Sequence, residues 1–266
     1  MISDTKSNGE FQAGKAAGAA ELRFRIAAAG VRYLEGALQN PLFGEEHVLP
    51  VLSNPSLPSS LIQKIAAHKQ WLSRYEIQRD IVVHRNSPLA LKLNLVHFLR
   101  WKDLVKVAED PFSPPPVKKK AETVLKSKVE EMALGERIAL ARLAGPGIIS
   151  LLRGDAHQEV ITALLGNPRL VEDEVVALCS EERAPAPVLA AVGSHPRWRD
   201  RHAVRISLLR HPRTPPGVSL RFLEWISPGE LAEIASSAVV PRLVRATARQ
   251  LLQSRRAAVD RNGVVS

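Results

Sequence analysis

The sequence contains a single cysteine, Cys179, and few aromatic residues, and each scarcity excludes a class of protein. One cysteine cannot form an intramolecular disulfide, nor can it supply the several thiolates of a structural zinc or iron–sulfur centre. Aromatic residues make up 5% of the chain beside abundant Ala, Leu, Val and Arg, which favours helices packed through aliphatic side chains. We therefore predict an all-α protein without a metal or another cofactor.

Long apolar runs are also missing. No window holds the roughly 18 apolar residues that a membrane-spanning helix needs, and the start, MISDTKSNGE, lacks the apolar core of a signal peptide. These features predict a cytoplasmic protein that does not span a membrane. The motifs of phosphate-binding loops, zinc hydrolases and nucleophile elbows are absent as well, so the sequence predicts no enzyme and offers no catalytic residue.

The formal net charge of the chain is +10 at pH 7, and the excess lies in its body rather than at its ends. Residues 195–221 contain seven arginines and one acidic residue, Asp200, whereas residues 172–182 contain five acidic residues and no Lys or Arg. A second basic run occupies residues 118–120. This uneven charge predicts an acidic partner. The candidate binding residues are Arg197, Arg199, Arg201, Arg205, Arg210, Arg213, Lys118, Lys119 and Lys120.

The strongest pattern is an internal repeat with a period of 127 residues. Asn40-Pro41 aligns with Asn167-Pro168, and 18 of the 86 positions from 40 to 125 are identical to their counterparts without a gap. This composition gives about 6 identities by chance. In each copy, short stretches with helical apolar spacing are separated by Asn-Pro, His-Pro or Asp-Pro signals, which are typical of helix starts. Helices this short need neighbours, so we predict that they stack as a solenoid.

Two of these helix starts carry a family resemblance. NPSLPSSLIQKI (54–65) and HPRTPPGVSLRFL (211–223) share Asn or His, then Pro, two residues and a second Pro before a short apolar helix. This pattern resembles the leucine-rich repeat variant proteins and, more loosely, HEAT repeats, and the two-copy arrangement is similar to that of bacterial helical-repeat proteins. The resemblance implies a right-handed α-solenoid. Some leucine-rich repeat variant proteins carry an iron–sulfur centre ahead of the repeats, but one cysteine departs from that pattern, so no cofactor is carried over.

The repeat also predicts the organisation of the chain. We expect a disordered N-terminal tail at residues 1–15, a first helical copy at 16–133, a second copy at 134–256 and a disordered C-terminal tail at 257–266. Glycine and proline place the junction between the copies near residues 134–135 or near residues 144–147.

One constellation, His-x2-Trp-x2-Arg-x9-His-x3-Pro, occurs in both copies. One interpretation is that its His and Arg side chains hold a phosphate or a carboxylate. The other, which we favour, is structural: His and Pro mark helix boundaries, and Trp anchors the core of a chain with few aromatic residues. Two histidines without a third ligand are a poor zinc signal, so no metal site is predicted. The residues are His68, Trp71, Arg74, His84, Pro88, His195, Trp198, Arg201, His211 and Pro215.

By analogy with other solenoids, these features predict a non-enzymatic protein-interaction scaffold that presents its surface to an acidic protein or peptide. Nucleic-acid binding is the alternative, because Arg and Lys attract the phosphate backbone whatever its sequence. The acidic stretch at 172–182 opposes a duplex lying along the whole array. A DNA glycosylase built on HEAT-like repeats is less favoured, since no acidic residue with aromatic neighbours stands out as its active site.

Overall fold

The computed structural model describes the backbone of residues 2–263 and the side chains of residues 8–257. Over this range the chain forms 19 α-helices and no strand, so the predicted all-α class is confirmed. Three short 3-10 turns, Glu45–His47, Val96–Phe98 and Leu223–Trp225, adjoin helices. Within the described part, no helix is both long and apolar enough to cross a membrane.

The chain divides into two compact units, Met1–Glu130 and Glu131–Ser266, near the predicted junction. The helices of unit 1 are α1 Ile2–Ala16, α2 Ala19–Arg25, α3 Val31–Ala37, α4 Val48–Leu52, α5 Ser59–Ala67, α6 Lys69–Leu72, α7 Tyr75–Val83, α8 Leu89–Leu95, α9 Trp101–Glu109 and α10 Pro115–Val129. The helices of unit 2 are α11 Leu134–Leu143, α12 Pro146–Leu152, α13 Gln158–Leu165, α14 Glu172–Ser180, α15 Ala186–Ser194, α16 His202–Arg210, α17 Pro216–Phe222, α18 Pro228–Ser236 and α19 Arg242–Gly263.

Most of the helices bury one apolar stripe against their neighbours, whereas the short α6 has no buried residue. In α5 the buried residues are Leu61, Ile62 and Ile65, and in α13 they are Val160, Ile161, Leu164 and Leu165, which is the spacing of one helix face. In unit 2, α11, α13, α15, α17 and α19 contact one another in chain order, and α14 packs on α16. In unit 1, α1 packs on α3, α4 on α7, and α10 on both α8 and α9.

Five helices of unit 1 have counterparts in unit 2 with identical bounds at the 127-residue offset. Adding 127 to the bounds of α5 (59 and 67) gives those of α15 (186 and 194), and the same shift converts α2, α7, α8 and α9 into α12, α16, α17 and α18. The short helix α6 has no helical counterpart at residues 196–199, which form turns. The spacing of helix starts in the sequence is therefore matched by the spacing of the helices.

Two asparagines at equivalent positions fix the same local geometry in both units. The amide of Asn40 donates to the carbonyls of Gly14 and Ala17 at 3.2 and 2.8 Å, and that of Asn167 donates to Ala141 and Ala144 at 2.8 and 2.9 Å. Both side chains are buried. Each asparagine thus satisfies two carbonyls at the end of an earlier helix, because these groups have no partner inside that helix.

The structure differs from the predicted organisation at both ends of the chain. The predicted disordered tail at residues 1–15 coincides with α1, and the predicted tail at 257–266 overlaps α19; residues 1 and 264–266 lie outside the described residues. Helix α1 packs closely on α3 through glycines: a Cβ on Gly14 would overlap the carbonyl of Tyr33, and one on Gly36 that of Phe11. Helix α19 continues because the sequence from 242 to 262 contains no Pro or Gly.

Candidate interaction surfaces

Three arginines of residues 195–221, Arg197, Arg213 and Arg221, donate hydrogen bonds to backbone carbonyls of neighbouring segments in unit 2. Arg197 donates to Asn167 and Leu170 at 2.9 and 2.8 Å, and its guanidinium carbon lies 4.3 Å from the centroid of the Trp198 ring. Arg221 donates to Gly193 at 2.7 Å and Arg213 to Arg183 at 3.4 Å. These side chains therefore join neighbouring segments of the unit.

The other arginines of this segment face carboxylates. Arg205 and Arg199 lie 2.8 and 3.5 Å from Asp200, and Arg210 lies 2.8 Å from Glu233. The hydrogen bond from Arg205, followed by that from Arg199, lowers the pKa of Asp200 below its usual value. Because these carboxylates already face the guanidinium groups, the segment offers less free positive charge than its composition implies.

The lysines predicted as binding residues lie at the start of α10 and have a different environment. Val117, Ala121, Val124, Leu125 and Val129 form the buried face of this helix. Lys119 and Lys126, seven residues apart, are exposed and lie about 10 Å apart along the helix axis. Lys118 and Lys120, on either side of Lys119, are half-buried. We call Lys118, Lys119, Lys120 and Lys126 the lysine face. Across the described side chains, none of its members forms a salt bridge, although Glu122 lies within it.

The second histidine of the repeated constellation is a buried link in both units. His84 donates from Nε2 to the carbonyl of Asn54 at 2.9 Å, and its Nδ1 accepts from the backbone N–H of Asn86 at 3.1 Å. His211 makes the equivalent bonds to Glu181 and Arg213 at 3.0 and 3.1 Å. This network assigns the neutral tautomer with its proton on Nε2. Both ring nitrogens are therefore occupied by the backbone, which leaves neither for a phosphate or a metal.

The tryptophans and arginines of the constellation also make internal contacts. Trp198 is buried and donates from Nε1 to the carbonyl of Leu165 at 2.8 Å, whereas Trp71 is half-buried and stacks on His68 with ring centroids 4.0 Å apart. Arg74 and Arg201 pair with equivalent carboxylates, Glu45 at 2.8 Å and Glu172 at 3.8 Å. His195 is half-buried, and burial together with the charge of Arg197 lowers its pKa. Pro88 and Pro215 precede α8 and α17 directly.

A further candidate surface, which was not predicted from the sequence, is formed by residues 97–102, HFLRWK. We call this segment the basic–aromatic turn. The Phe98 side chain is 62% exposed, and Arg100 and Lys102 are exposed beside it. The signal in the sequence is the alternation of basic and aromatic residues. The equivalent residues of unit 2, 224–229, read EWISPG and keep the aromatic residue without the cations.

Cys179 and the pair of Asp155 and His157 have the residue types of catalytic groups, but their surroundings are structural. Cys179 is buried, and this burial raises the pKa of its thiol to about 12, so the thiolate nucleophile is not populated at neutral pH. Asp155 accepts from both the backbone N–H and the Nδ1 of His157 at 2.9 and 3.0 Å, an arrangement that starts α13. Within the part of the chain described, no group of three or more His, Cys, Asp or Glu residues could hold a metal ion.

The predicted binding residues thus fall into two groups: arginines engaged within unit 2, and lysines of α10 without a carboxylate partner in the described structure. The basic–aromatic turn, which lies in unit 1 as α10 does, is a third basic surface. Comparison of the chain with protein-family models, with curated protein sequences and with solved structures gave no match.

Proposed function

We propose that the chain is a non-enzymatic protein-interaction scaffold, in which the lysine face of α10 binds an acidic protein or peptide. The observation that carries this proposal is the contrast between the two basic groups: the lysines lack carboxylate partners among the described residues, whereas the arginines of residues 195–221 are engaged. A free ammonium group pairs with a partner's carboxylate without first giving up an internal ion pair.

The scaffold we propose is a right-handed α-solenoid built from two copies of one unit, similar to the leucine-rich repeat variant proteins. Its support is the recurrence of five helices at the 127-residue offset and of the same buried hydrogen bonds at Asn40 and Asn167 and at His84 and His211. We place this scaffold in the cytoplasm. In such an array the shared positions build the unit, and the positions that differ determine the partner.

Nucleic-acid binding is the second candidate function, and the net charge of +10 favours it. The lysine face would then contact phosphates, and binding would fall steeply as salt is raised. Two observations disfavour the binding of a long phosphate backbone: Glu122 lies within the lysine face, and the arginines of residues 195–221 already have internal partners.

The test compares two charge-reversal variants of equal size. In one, Lys119→Glu and Lys126→Glu alter the lysine face; in the other, Arg199→Glu and Arg210→Glu alter exposed arginines of unit 2. We expect the lysine variant to weaken binding of a fluorescent poly-glutamate peptide at least about tenfold at ~0.15 M salt and the arginine variant to weaken it much less. Circular dichroism checks that helicity is unchanged.

Equal losses in the two variants would contradict the contrast on which the proposal rests. Tight binding of oligo(dT) at ~0.15 M salt, with no binding of poly-glutamate, would replace it with the nucleic-acid function.

A further inference from the structure

The basic–aromatic turn presents Phe98 on a fixed backbone. Val96 and Leu99, on either side of the exposed ring, are both 0% exposed and belong to the core. The backbone N–H of Arg100 donates to the hydroxyl of Tyr75 at 3.1 Å, which ties the end of the turn to α7. An aromatic ring held in water on a rigid segment keeps its apolar surface available to a partner, since burying it there needs little ordering of the chain.

The turn lies beside the far end of α10. Helix α10 packs on both the Val96–Phe98 turn and α9, and only residues 110–114 connect α9 to α10, so these two helices run antiparallel. The last turn of α10, which holds Lys126 and Lys128, therefore lies at the same end as Arg100 and Lys102. Of the nearby carboxylates, Asp103 accepts from Tyr75 and Lys106, and Glu130 follows the end of α10.

From this juxtaposition we infer that the partner is an acidic peptide segment with an aromatic side chain, which packs on Phe98 while its carboxylates pair with Arg100, Lys102 and Lys126. The inference rests on the proposed function and adds a second requirement to the acidic charge of the partner. Aromatic anchors at the centre of an interface supply much of the binding energy, and the flanking charges guide and orient the encounter.

Unit 2 contains a natural contrast at the equivalent position. Trp225 is 67% exposed, yet Glu224 precedes it, and Ser, Pro and Gly stand at 227–229 in place of Arg100, Trp101 and Lys102. Arg205 lies 5.6 Å from the Trp225 ring centroid but is engaged with Asp200 at 2.8 Å. Trp225 thus offers an apolar ring without the free cations that an acidic segment needs.

A peptide fits the turn better than single-stranded nucleic acid. Single strands bind through successive bases stacked on several aromatic platforms. Here Arg100 lies over Tyr75 at 4.3 Å and Lys102 over Trp101 at 5.5 Å, both measured to the ring centroid, so Phe98 offers the more open ring.

The experiment uses the full chain and two synthetic peptides that alternate Glu and Ser, one with a central Trp and one with Ala in its place. Binding is measured by fluorescence anisotropy at ~0.15 M salt for the wild type, Phe98→Ala and the matched control Trp225→Ala. We expect the Trp peptide to bind the wild type about tenfold more tightly than the Ala peptide. This advantage should be lost in Phe98→Ala and kept in Trp225→Ala.

The outcomes separate the inference from the proposed function. Equal binding of the two peptides, or equal losses in Phe98→Ala and Trp225→Ala, would overturn the inference and leave an acidic partner in place. Binding of neither peptide would overturn both. Stronger binding of oligo(dT), weakened by Phe98→Ala, would assign the turn to single-stranded nucleic acid instead.

Discussion

Unit 1 and unit 2 share five helices with matching bounds and equivalent buried hydrogen bonds at two pairs of positions, but many of their basic residues lie in different environments. In unit 2 the arginines Arg197, Arg221 and Arg255 donate to backbone carbonyls 27 to 31 residues earlier in the chain. Unit 1 has Gln70, Asn94 and Lys128 at the equivalent positions, and its exposed lysines lack such contacts in the described structure. An arginine of unit 2 and a lysine of unit 1 carry the same formal charge, but the lysine is more available to a partner.

The chemistry of the two side chains accounts for this difference. A guanidinium group has five donors in a planar fork, so one arginine reaches two carbonyls at once, as Arg197 does with Asn167 and Leu170. An ammonium group is strongly hydrated on a flexible stem and stays in water unless a partner removes it. Arg197, Arg221 and Arg255 therefore join segments of unit 2, whereas the proposal assigns recognition to the lysine face of α10 alone.

The largest expected effect compares the two tryptophans of the constellation. Trp198→Ala removes a buried ring and leaves the carbonyl of Leu165 without its donor, so we expect it to destabilise the protein by about 3–5 kcal/mol. Trp71 is half-buried, and Trp71→Ala should lower the free energy of unfolding by about 1–2 kcal/mol. Urea denaturation followed by circular dichroism measures both. Equal losses would mean that the two positions anchor their units alike.

The next comparison concerns the glycines between α1 and α3. Unit 2 has Ala141 and Ala163 at the positions equivalent to Gly14 and Gly36. Because a methyl group on Gly36 would overlap the carbonyl of Phe11, we expect Gly36→Ala to destabilise the protein by about 1–3 kcal/mol. The control Gly135→Ala, in α11 with open space around it, should raise stability by up to about 1 kcal/mol. A stabilising effect of Gly36→Ala in thermal denaturation would show that α1 does not pack on α3.

The sequence was sufficient for the fold class and for some helix starts, such as those of α8 and α10 directly after Pro88 and Pro114, because proline signals and apolar spacing are local properties. It could not reveal the packing of α1, since residues 1–15 have few large apolar side chains and the contact depends on two glycines 22 residues apart (36 − 14). The burial of Lys92 could not be predicted from the sequence either. Its sequence context resembles that of the other lysines of unit 1, yet Lys92 is 3% exposed, and burial lowers its pKa.

The candidate site was predictable in part. Charge counts singled out Lys118, Lys119 and Lys120, but they gave the arginines equal weight, because pairs such as Arg210 with Glu233 join residues that only the fold brings together. The count also missed Phe98, whose exposure depends on the burial of Val96 and Leu99 around it. Long-range contacts of this kind leave no local pattern.

A smaller effect tests whether the arginines of unit 2 stabilise the fold. Arg197→Ala removes two hydrogen bonds and a cation–π contact, so we expect a loss of about 1–2 kcal/mol in the free energy of unfolding. Lys119→Ala, at an exposed position of α10, should stay within about 0.5 kcal/mol of the wild type. Chemical denaturation of the two variants side by side provides the measurement. If Lys119→Ala were the more destabilising of the two, the division of roles between the units would fail.

The smallest expected effect concerns a link that the units build from different chemistry. Tyr75 donates to Asp103 in unit 1, and His202 contacts Glu230 at 2.7 Å at the equivalent positions of unit 2. Burial raises the pKa of Asp103, but hydrogen bonds from Tyr75 and Lys106 and nearby positive charges outweigh it, so the pKa is lowered. The pKa of Glu230 is lowered mainly by its hydrogen bond from Ser227.

A carboxyl group with a lowered pKa in the folded state stabilises the protein above its unfolded pKa, and this stabilisation is lost as pH falls through the folded value. We therefore expect the wild type to lose stability below about pH 4 and Asp103→Asn to lose less, by about 1 kcal/mol or under. Glu230→Gln should reduce this acid-dependent loss of stability by a smaller amount, because solvent screens the exposed partners that lower the pKa of Glu230. Urea midpoints between about pH 3 and pH 6 decide the order. If Asp103→Asn lost more stability than the wild type as pH falls, Asp103 would not stabilise the folded state through a lowered pKa. If Glu230→Gln changed the acid dependence more than Asp103→Asn, the stronger carboxylate link would lie in unit 2.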